Sequence, residues 1–470
     1  MIASNITIRL KLANQPGTLA KVLTVIGQEG GSLGAIDLIS ASPTYLIREL
    51  IVRLNNNSLE RVVDSLRQIP GVQSIYIADR VFTSHLGGKI EINPKRPIHN
   101  REDLSMIYTP GVASICKAID RDRNLAYKLT MKGNSVAIVT DGSAVLGLGN
   151  LGPLAALPVR EGKAVLFKQF GNVDAVPICM DVHDPQQIIN AVVALAPAFG
   201  GINLEDIASP QCFEIEEKLS EMIDIPVFHD DQHGTAIVTL AGILNAIKVV
   251  GKKLSDIKVV LSGAGAAGVA IAKILLGAGI RNLIVCDRKG AIAKVNHYSI
   301  PAKQWLAEHT NEMCIKGKLN EVIYGADLFI GVSAPGLLQR EDILKMAVKP
   351  VVFALANPEP EIEPEKIADI AAVIATGRSD YPNQVNNALA FPGIFRGVLD
   401  CHARTINNQM CLAAANALAG IITKEQLNAE NIIPSIFNPN VASVVAEAVK
   451  REAKRTGVAR EIQYETNNVK

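Results

Sequence analysis

The feature that most constrains the fold is a regular alternation of short apolar runs with helix-like stretches, which continues from residue 135 to the C-terminus. Continuous apolar strands between helices are typical of parallel sheets whose two faces are both covered. In such sheets, ligands bind beyond the carboxyl ends of the strands. The expected strands are Ser135–Thr140, Ala164–Phe167, Ala175–Met180, Pro226–Phe228, Lys258–Leu261, Asn282–Cys286, Leu328–Val332, Val351–Leu355 and Ala372–Ala375.

A second pattern occupies residues 1–84. Strand-like runs with apolar–polar alternation are separated by two stretches with helical spacing. The order of these elements is βαββαβ, which predicts a small ferredoxin-like α+β sandwich. The expected elements are strand Ile6–Leu12, helix Leu19–Ile26, strands Leu33–Ser40 and Ile47–Leu54, helix Leu59–Leu66 and strand Val72–Ile77.

A chain of 470 residues is too long for one ordinary domain. We expect the ferredoxin-like domain at residues 1–84, an α/β domain at 85–245 that opens with the linker-like segment His85–Asn100, and a second α/β domain at 246–470. The expected fold class is therefore α/β, with two parallel-sheet domains, the second of Rossmann type, preceded by a small α+β domain.

The composition narrows the classes of partner. A formal net charge of +1 gives no reason to expect a nucleic acid or an anionic membrane as partner. The seven cysteines are scattered without a CxxC pair, which favours a reducing compartment over a disulfide framework. The N-terminus lacks the pattern of a secretory signal, and the apolar runs fall short of the ~20 residues of a membrane span. We expect a cytoplasmic protein.

A glycine-rich turn predicts a dinucleotide site. The strand from Lys258 leads directly into a GxGxxG sequence, and a helix follows. The first glycine permits a tight turn, the second lets the backbone approach a pyrophosphate, and the third allows close packing of helix on strand. Free N–H groups at the helix start suit the phosphates. The residues of this turn are Gly263, Ala264, Gly265, Ala266, Ala267 and Gly268.

The next strand ends in Asp287, where an acid would bind the ribose hydroxyls of NAD. Arg288 and Lys289 follow and could bind a 2′-phosphate, so NAD is preferred while NADP stays open. A later strand ends in the segment Gly331–Gly336, which contains Ser333 and is expected near the nicotinamide ribose.

Two acidic pairs follow apolar runs. They are Glu205-Asp206 and Asp230-Asp231. Clustered carboxylates repel each other unless a cation or protons neutralise them, and oxygen ligands suit Mg²⁺ or Mn²⁺. A pair of solvated helix N-caps is the alternative, with Asp231 capping a helix from Thr235 onward.

The histidines of His229–His233 have the i, i+4 spacing of zinc hydrolases. That motif requires Glu second and a helical position for both histidines, whereas this segment has Asp second and begins at a strand end. We therefore expect His229 and His233 to form local hydrogen bonds.

Several motifs together resemble a known family. From residue 85 to the C-terminus the chain resembles the malic enzymes, specifically the shorter prokaryotic type. The motifs are Tyr108–Val112, Val139–Gly152, Glu161–Lys168, Phe228–Ala236, Ala356–Pro358 and Asn386–Gly393.

The N-terminal module resembles the ACT regulatory domain, through its whole element pattern and the motifs Asn14–Leu19 and Ile69–Val72. That resemblance implies a site for an amino acid or another small effector, and pairing between subunits. A dimerisation or folding appendage without a ligand is the alternative.

The resemblance to malic enzymes implies oxidative decarboxylation of L-malate to pyruvate and CO₂, with NAD(P) and Mg²⁺ or Mn²⁺, in a homodimer or a dimer-based oligomer. It assigns the metal to Glu205, Asp206 and Asp231. Lys163 matches the catalytic base, and Tyr108 matches the catalytic acid. Asn357 and Asn387 match substrate-contacting asparagines.

One departure concerns the substrate. Larger malic enzymes carry an arginine that holds a substrate carboxylate where this chain has Ser143-Ala144. The group that binds the malate carboxylate remote from the metal therefore stays open, with Asn357 and Asn387 as candidates. The alternative functions are a malolactic-type enzyme, a non-decarboxylating 2-hydroxy-acid dehydrogenase, or a ligand-sensing protein with a relic catalytic body.

Overall fold

The structure is a computed structural model that describes residues 3–55 and 58–460. The chain divides into two compact units, Met1–Ile92 and Asn93–Lys470. Each unit is described by itself.

The first unit contains a four-stranded antiparallel sheet in the order β2-β3-β1-β4. Alternate residues of the central strand β1, such as Ile8 and Leu10, are fully buried, and the helices contribute Val22 and Val62 to the same core. The ferredoxin-like prediction is thereby confirmed. The elements are β1 (Ala3–Ala13), α1 (Thr18–Gln28), β2 (Ser32–Ala41), β3 (Tyr45–Asn55), α2 (Leu59–Arg67), β4 (Val72–Asp79) and α3 (Arg80–His85).

The second unit begins with helices and a four-stranded parallel sheet in the order β6-β5-β7-β8. All residues of β5, β7 and β8 are buried, as expected for strands covered on both faces. The elements are α4 (Arg101–Ile107), α5 (Val112–Arg121), α6 (Ala126–Leu129), β5 (Ser135–Thr140), α7 (Pro153–Gly171), β6 (Asp174–Cys179), α8 (Pro185–Leu195), β7 (Gly201–Leu204), α9 (Gln211–Met222), β8 (Val227–His229) and α10 (Asp230–Val250).

A six-stranded sheet follows in the order β11-β10-β9-β12-β13-β14, parallel except for β11. The strand order around β9 and the crossover helix after it give the predicted Rossmann-type arrangement. Three helices from the C-terminal part return to pack around α10 and α7. The elements are β9 (Lys258–Ser262), α11 (Ala266–Gly277), β10 (Asn282–Asp287), β11 (Gly290–Ala291), α12 (Pro301–His309), α13 (Leu319–Val322), β12 (Leu328–Gly331), α14 (Arg340–Ile343), β13 (Val351–Ala354), β14 (Val373–Thr376), α15 (Phe391–Asp400), α16 (Asn408–Ala419) and α17 (Val441–Arg455).

Helix α10 links the two parallel sheets. Within the described ranges it is the one helix long and apolar enough to cross a membrane, but most of it is buried in the protein core. Ile237, Leu240 and Ile243 belong to the same apolar cluster as strand residues of both sheets. Helix α10 is therefore a core helix whose first residue lies at the end of β8.

One strand prediction is wrong. Ala164–Phe167 lies within the long helix α7 and not in a strand. A short apolar run fits a buried helix as well as a buried strand, and Pro158 inside the helix hid the longer period. The correction matters because α7 carries Lys163 on its buried face.

Helix α10 also starts earlier than the capping alternative requires. It begins at Asp230, so Asp231 lies inside the first turn, and His229 holds the N-cap position without a side-chain cap. The Asp231 carboxylate accepts instead a hydrogen bond from the Asp206 N–H at 2.7 Å.

Candidate active site

The acidic pairs meet because β7 and β8 are adjacent parallel strands. Leu204 pairs with His229 in the sheet, so the residues that follow each strand emerge side by side. Carboxylate oxygens of Glu205, Asp206 and Asp231 lie within 4.8 Å of one another. We call these three residues together with Asp230 the acidic cluster.

Lys163 enters the acidic cluster from α7. Its amine forms ion pairs with Glu205 and Asp230, and it lies 4.5 Å from the centre of the Phe391 ring. Burial lowers the pKa of Lys163 from its usual range, and the Asp230 and Asp231 carboxylates only partly oppose that shift. A lowered pKa makes the neutral amine more accessible, and the neutral amine is the form that can accept a proton.

A second cation, Arg160, enters from the same face of α7. Its guanidinium is fully buried, forms an ion pair with Asp206 and lies 3.5 Å from Glu205. Sequence reasoning missed this residue. Arg160 and Lys163 have the i, i+3 spacing of one helix face, a signal that was hidden because the segment after them resembled a strand.

The acidic cluster has the donor set of a divalent metal site. Burial and the neighbouring Asp231 raise the pKa of Asp206 to about 6, and burial also raises the pKa of Asp230. One oxygen of Asp230 has no hydrogen-bond partner among the described residues. Such crowded hard oxygens fit Mg²⁺ or Mn²⁺, because a divalent cation would stabilise the carboxylate charges that burial and mutual repulsion disfavour.

Glu216 on α9 fixes the segment that carries Asp230 and Asp231. Its carboxylate accepts hydrogen bonds from the His229 N–H at 2.8 Å and the Gln232 amide at 3.0 Å, and lies 3.0 Å from the His233 ring. Burial would raise the pKa of Glu216, but the charge and hydrogen bond of His233 lower it overall. His233 thus forms the expected local hydrogen bond, whereas the buried ring of His229 has no hydrogen-bond partner among the described residues, although its Nδ1 lies 3.8 Å from an Asp231 carboxylate oxygen.

Asn387 begins a short 3₁₀ helix beside the acidic cluster, and Asn357 lies in the loop after β13. A Cβ atom added to Gly234 on α10 would lie 3.2 Å from the Cβ of Asn387 and would clash with Asp230, so these residues surround one glycine. A Cβ on Gly147 would lie 2.9 Å from the Asn357 carbonyl oxygen. The loop after β5 therefore contacts the loop after β13.

Tyr108 is not brought into this group. It follows α4, a helix with no buried residue, and 67% of its surface is exposed. Its hydroxyl has no hydrogen bond to any residue that the structure describes. The described partners of the Lys163 amine are Glu205, Asp230 and the Phe391 ring.

The glycine-rich turn has the geometry expected of a nucleotide site. Gly263 adopts a positive φ of 124° and donates its N–H to the Cys286 carbonyl at 2.9 Å. A Cβ on Gly268 would clash with the Gly263 carbonyl, whereas a Cβ on Gly265 would meet no atom within 4 Å. The space beside Gly265 at the start of α11 is thus open for a ligand.

Asp287 ends β10, as predicted, but it already has a cationic partner. Its carboxylate accepts hydrogen bonds from the Lys303 amine and the Lys289 N–H, both at 2.8 Å. Burial opposes ionisation, yet these bonds lower the pKa of Asp287 below its usual value. Lys303 lies on α12, sixteen residues away, and no local sequence pattern predicts this pairing.

Ser333 is held by a buried acid. Its N–H donates to Glu361 at 2.9 Å, and the other Glu361 oxygen accepts from the Ala356 N–H at 3.1 Å. One carboxylate therefore joins the loop that carries Ser333 to the residue before Asn357. Glu361 was absent from the sequence-based candidates.

The fold and the site together define a class of protein. An open parallel sheet with a glycine-rich turn, beside a second sheet whose strand ends carry carboxylates and a buried lysine, is the architecture of a nucleotide-dependent α/β oxidoreductase.

Known families match almost the whole chain. The malic enzyme N-terminal domain matches residues 87–220, the malic enzyme NAD-binding domain matches residues 232–454, and the ACT domain matches residues 4–76. The chain belongs to the malic enzyme family and carries an N-terminal ACT domain.

Individual proteins agree with this assignment. An NAD-dependent malic enzyme from Geobacillus stearothermophilus is 56% identical over 97% of this chain and 96% of its own length. A bifunctional malic/malolactic enzyme from Bacillus subtilis strain 168 is 54% identical over 79% of this chain and 92% of its own. The crystal structure of malic enzyme from Pyrococcus horikoshii Ot3 has a TM-score of 0.77 at 52% identity, over 80% of this chain and 89% of that chain.

Two glycine substitutions test the nucleotide site. Gly268→Ala should destabilise the fold by ~1–3 kcal/mol, because its methyl group would overpack the turn. Gly265→Ala should leave the melting temperature unchanged, because its methyl group would meet no protein atom. It should weaken NAD binding, because the methyl group would occupy the space predicted for the pyrophosphate. Thermal melting and NAD titration measure the two effects. If Gly265→Ala bound NAD with the affinity of the wild-type protein, the pyrophosphate could not lie beside Gly265.

Asp231→Asn tests the metal assignment. The substitution keeps the size of the side chain and removes one of the clustered negative charges. We expect the Mn²⁺ concentration for half-maximal binding to rise by about tenfold or more, since ligand charge sets the affinity of oxygen sites. Electron paramagnetic resonance of free Mn²⁺ measures it, with Asp224→Asn at an exposed carboxylate as control. An unchanged titration would remove Asp231 from the ligand set.

Proposed function

We propose that this chain oxidises and decarboxylates L-malate to pyruvate and CO₂, with NAD as the preferred coenzyme and Mg²⁺ or Mn²⁺ as the metal. The observation that carries the proposal is the meeting of a buried lysine, Lys163, with the metal-type carboxylates of Glu205, Asp206 and Asp231 in a chain of the malic enzyme family.

Lys163 acts as the base that removes the proton from the C2 hydroxyl. Burial lowers its pKa, so the neutral amine is accessible. The adjoining Phe391 ring and the buried face of α7 limit access of water to the amine. Asp230, which pairs with Lys163, holds the amine in position.

Glu205, Asp206 and Asp231 would hold the metal ion. When bound, the ion would supply Lewis-acid polarisation of the substrate oxygen, and the nicotinamide would accept the hydride from C2. The protein fixes the three carboxylates through Asn203, which donates to Glu205 at 2.9 Å, and through the Asp206 N–H on Asp231. Asn387 lies beside the acidic cluster and Asn357 lies in the loop after β13, where they can orient malate.

NAD is preferred because Asp287, at the end of β10, suits a free 2′-hydroxyl and repels a 2′-phosphate. The Geobacillus stearothermophilus relative is named NAD-dependent, which supports this choice. Lys303 beside Asp287 is the group through which NADP could also be accepted.

Tyr108 is the proposed acid that protonates C3 of the enol. Because Tyr108 is exposed within its own chain, we propose that the enzyme is a homodimer or a dimer-based oligomer. The residues beside it on α4 form an apolar patch, with Leu104 46%, Met106 61% and Ile107 43% exposed. Apolar patches of this kind mark protein contacts. We therefore propose that a second copy covers α4 and that Tyr108 serves the Lys163 of that copy.

The ACT domain is proposed to bind a small effector. Every residue of its edge strand β2 is exposed, including Leu38 and Ile39 at 50% each. An apolar strand whose outer edge is open is suited to pairing with another chain.

A cytoplasmic location accords with the seven cysteines, which are all free thiols.

A malolactic activity is the second candidate function, because the Bacillus subtilis relative is named a bifunctional malic/malolactic enzyme. The deciding assay supplies malate and Mn²⁺ with NAD and NADP in parallel. Pyruvate formed in step with NADH is the expected result. Lactate without net reduction of the coenzyme would replace the proposal, and no turnover would favour a sensing protein.

Replacing the base should stop the chemistry. Lys163→Ala is expected to lower kcat by about 10²–10⁴-fold while NAD still binds, because proton transfer is lost and the nucleotide turn is intact. Lys168→Ala on the exposed side of the same helix is the control and should keep normal turnover. Near-normal kcat in Lys163→Ala, measured with saturating malate, would exclude Lys163 as base.

Mixed oligomers test the origin of Tyr108. Lys163→Ala and Tyr108→Phe should each be inactive alone. If subunits pair at random, co-expression should restore about a quarter of wild-type activity, since half of the dimers contain one intact site. Isolation of the doubly tagged species and assay of its turnover measure this recovery. No recovery in a verified mixed dimer would mean that both residues act within one chain.

Deletion of residues 1–92 tests the ACT domain. The remaining unit contains its own core, so malate oxidation should stay within about threefold of the full chain. Any response of the full-length enzyme to a panel of amino acids should disappear. Complete loss of activity in a folded deletion variant would mean that the ACT domain supports the catalytic unit structurally.

A further inference from the structure

Arg160 is an arginine whose side chain is fully buried in the second unit. It is the largest fully buried side chain of the described residues, and it lies on the buried face of α7 beside Lys163. One guanidinium nitrogen pairs with Asp206 and another lies 3.5 Å from Glu205. Nε has no hydrogen-bond partner among the described residues, and neither has Nη1, the nitrogen that lies 3.5 Å from Glu205.

Buried donors without partners are costly, and such groups are usually satisfied by another group or a ligand. Here the unsatisfied donors lie at the acidic cluster, where substrate must bind. The neighbouring loop Asp141–Gly152 contains no lysine or arginine that could meet an anionic substrate.

The charge balance of the cluster also calls for a permanent cation. Four carboxylates with Lys163 and Arg160 give a formal charge of −4 + 2 = −2. A divalent ion would bring this sum to zero. Malate then adds two further negative charges. The described side chains in ion-pair contact with the cluster are Lys163, Arg160 and His229. Of these, only the arginine carries a permanent positive charge with which to offset the malate charges.

We infer that Arg160 is a substrate-binding residue whose guanidinium receives a malate carboxylate, and that in the absence of substrate it competes with the metal for Glu205 and Asp206. This inference rests on the proposed function. The planar guanidinium can bind a carboxylate through two parallel hydrogen bonds, which an amine cannot do.

A purely structural counter-ion would behave differently. If Arg160 only neutralised Glu205 and Asp206, its loss would alter folding and metal affinity without a selective effect on malate. If it binds substrate, the KM for malate changes while the KM for NAD does not. Metal affinity supplies an independent readout, because removing a competing cation should tighten metal binding.

The test compares Arg160→Gln, which removes the charge, with Arg160→Lys, which keeps the charge without the planar fork. Arg404→Met, at an exposed ion pair, is the control. We expect Arg160→Gln to raise the KM for malate by about 100-fold. Its dissociation constant for Mn²⁺ without malate should fall by about tenfold. Arg160→Lys should raise the KM for malate by about tenfold.

Electron paramagnetic resonance gives the Mn²⁺ affinity, initial rates give both KM values, and thermal melting verifies folding. A KM for malate within about twofold of wild type in either folded variant would overturn the inference. Weaker Mn²⁺ binding in Arg160→Gln would overturn the competition with the metal. A wild-type enzyme without malate turnover would instead defeat the proposed function, so the two failures are distinguishable.

Discussion

The repulsion among four carboxylates at the ends of two neighbouring strands is the constraint on which the rest of this structure depends. Glu205 and Asp206 follow β7, and Asp230 and Asp231 follow β8, because parallel strands bring their carboxyl ends to one edge. The protein tolerates this crowding by placing Lys163 and Arg160 on the facing side of α7. Buried charges of this kind would destabilise an ordinary core. Here the carboxylates are suited to a cation, and Lys163 and Arg160 are suited to an anionic substrate.

The same constraint accounts for the route of the chain around the site. Helix α10 begins at the acidic cluster and then runs through the core shared with the nucleotide-binding sheet. Gly147 and Asn357 bring a loop from each sheet into contact, and Glu361 joins the Ser333 loop to the Asn357 loop. The residues proposed for metal, substrate and coenzyme therefore lie on one packed framework, which favours the fixed geometry that proton and hydride transfer need.

Sequence periodicity was sufficient for most of the fold. The strands that flank the site were predicted because buried parallel strands form continuous apolar runs. The turn Gly263–Gly268 was predicted from its glycine spacing between a strand and a helix, and the structure shows a positive φ at Gly263 and no room for a Cβ at Gly268. Helix α7 was misjudged at Ala164–Phe167, since four apolar residues fit either period. That error concealed Arg160. The partners Lys303 and Glu361 could not be predicted either, because they reach the site across tertiary distances that local pattern does not encode.

The ion pair between Lys303 and Asp287 has a consequence for how the coenzyme is selected. The ribose end of the nucleotide site already contains a cation whose present partner is a carboxylate of the protein. A phosphate on the coenzyme and the Asp287 carboxylate are thus alternative anions for the same lysine. Selection at this position would be an exchange between an internal anion and an external one, and it would involve no residue of the acidic cluster.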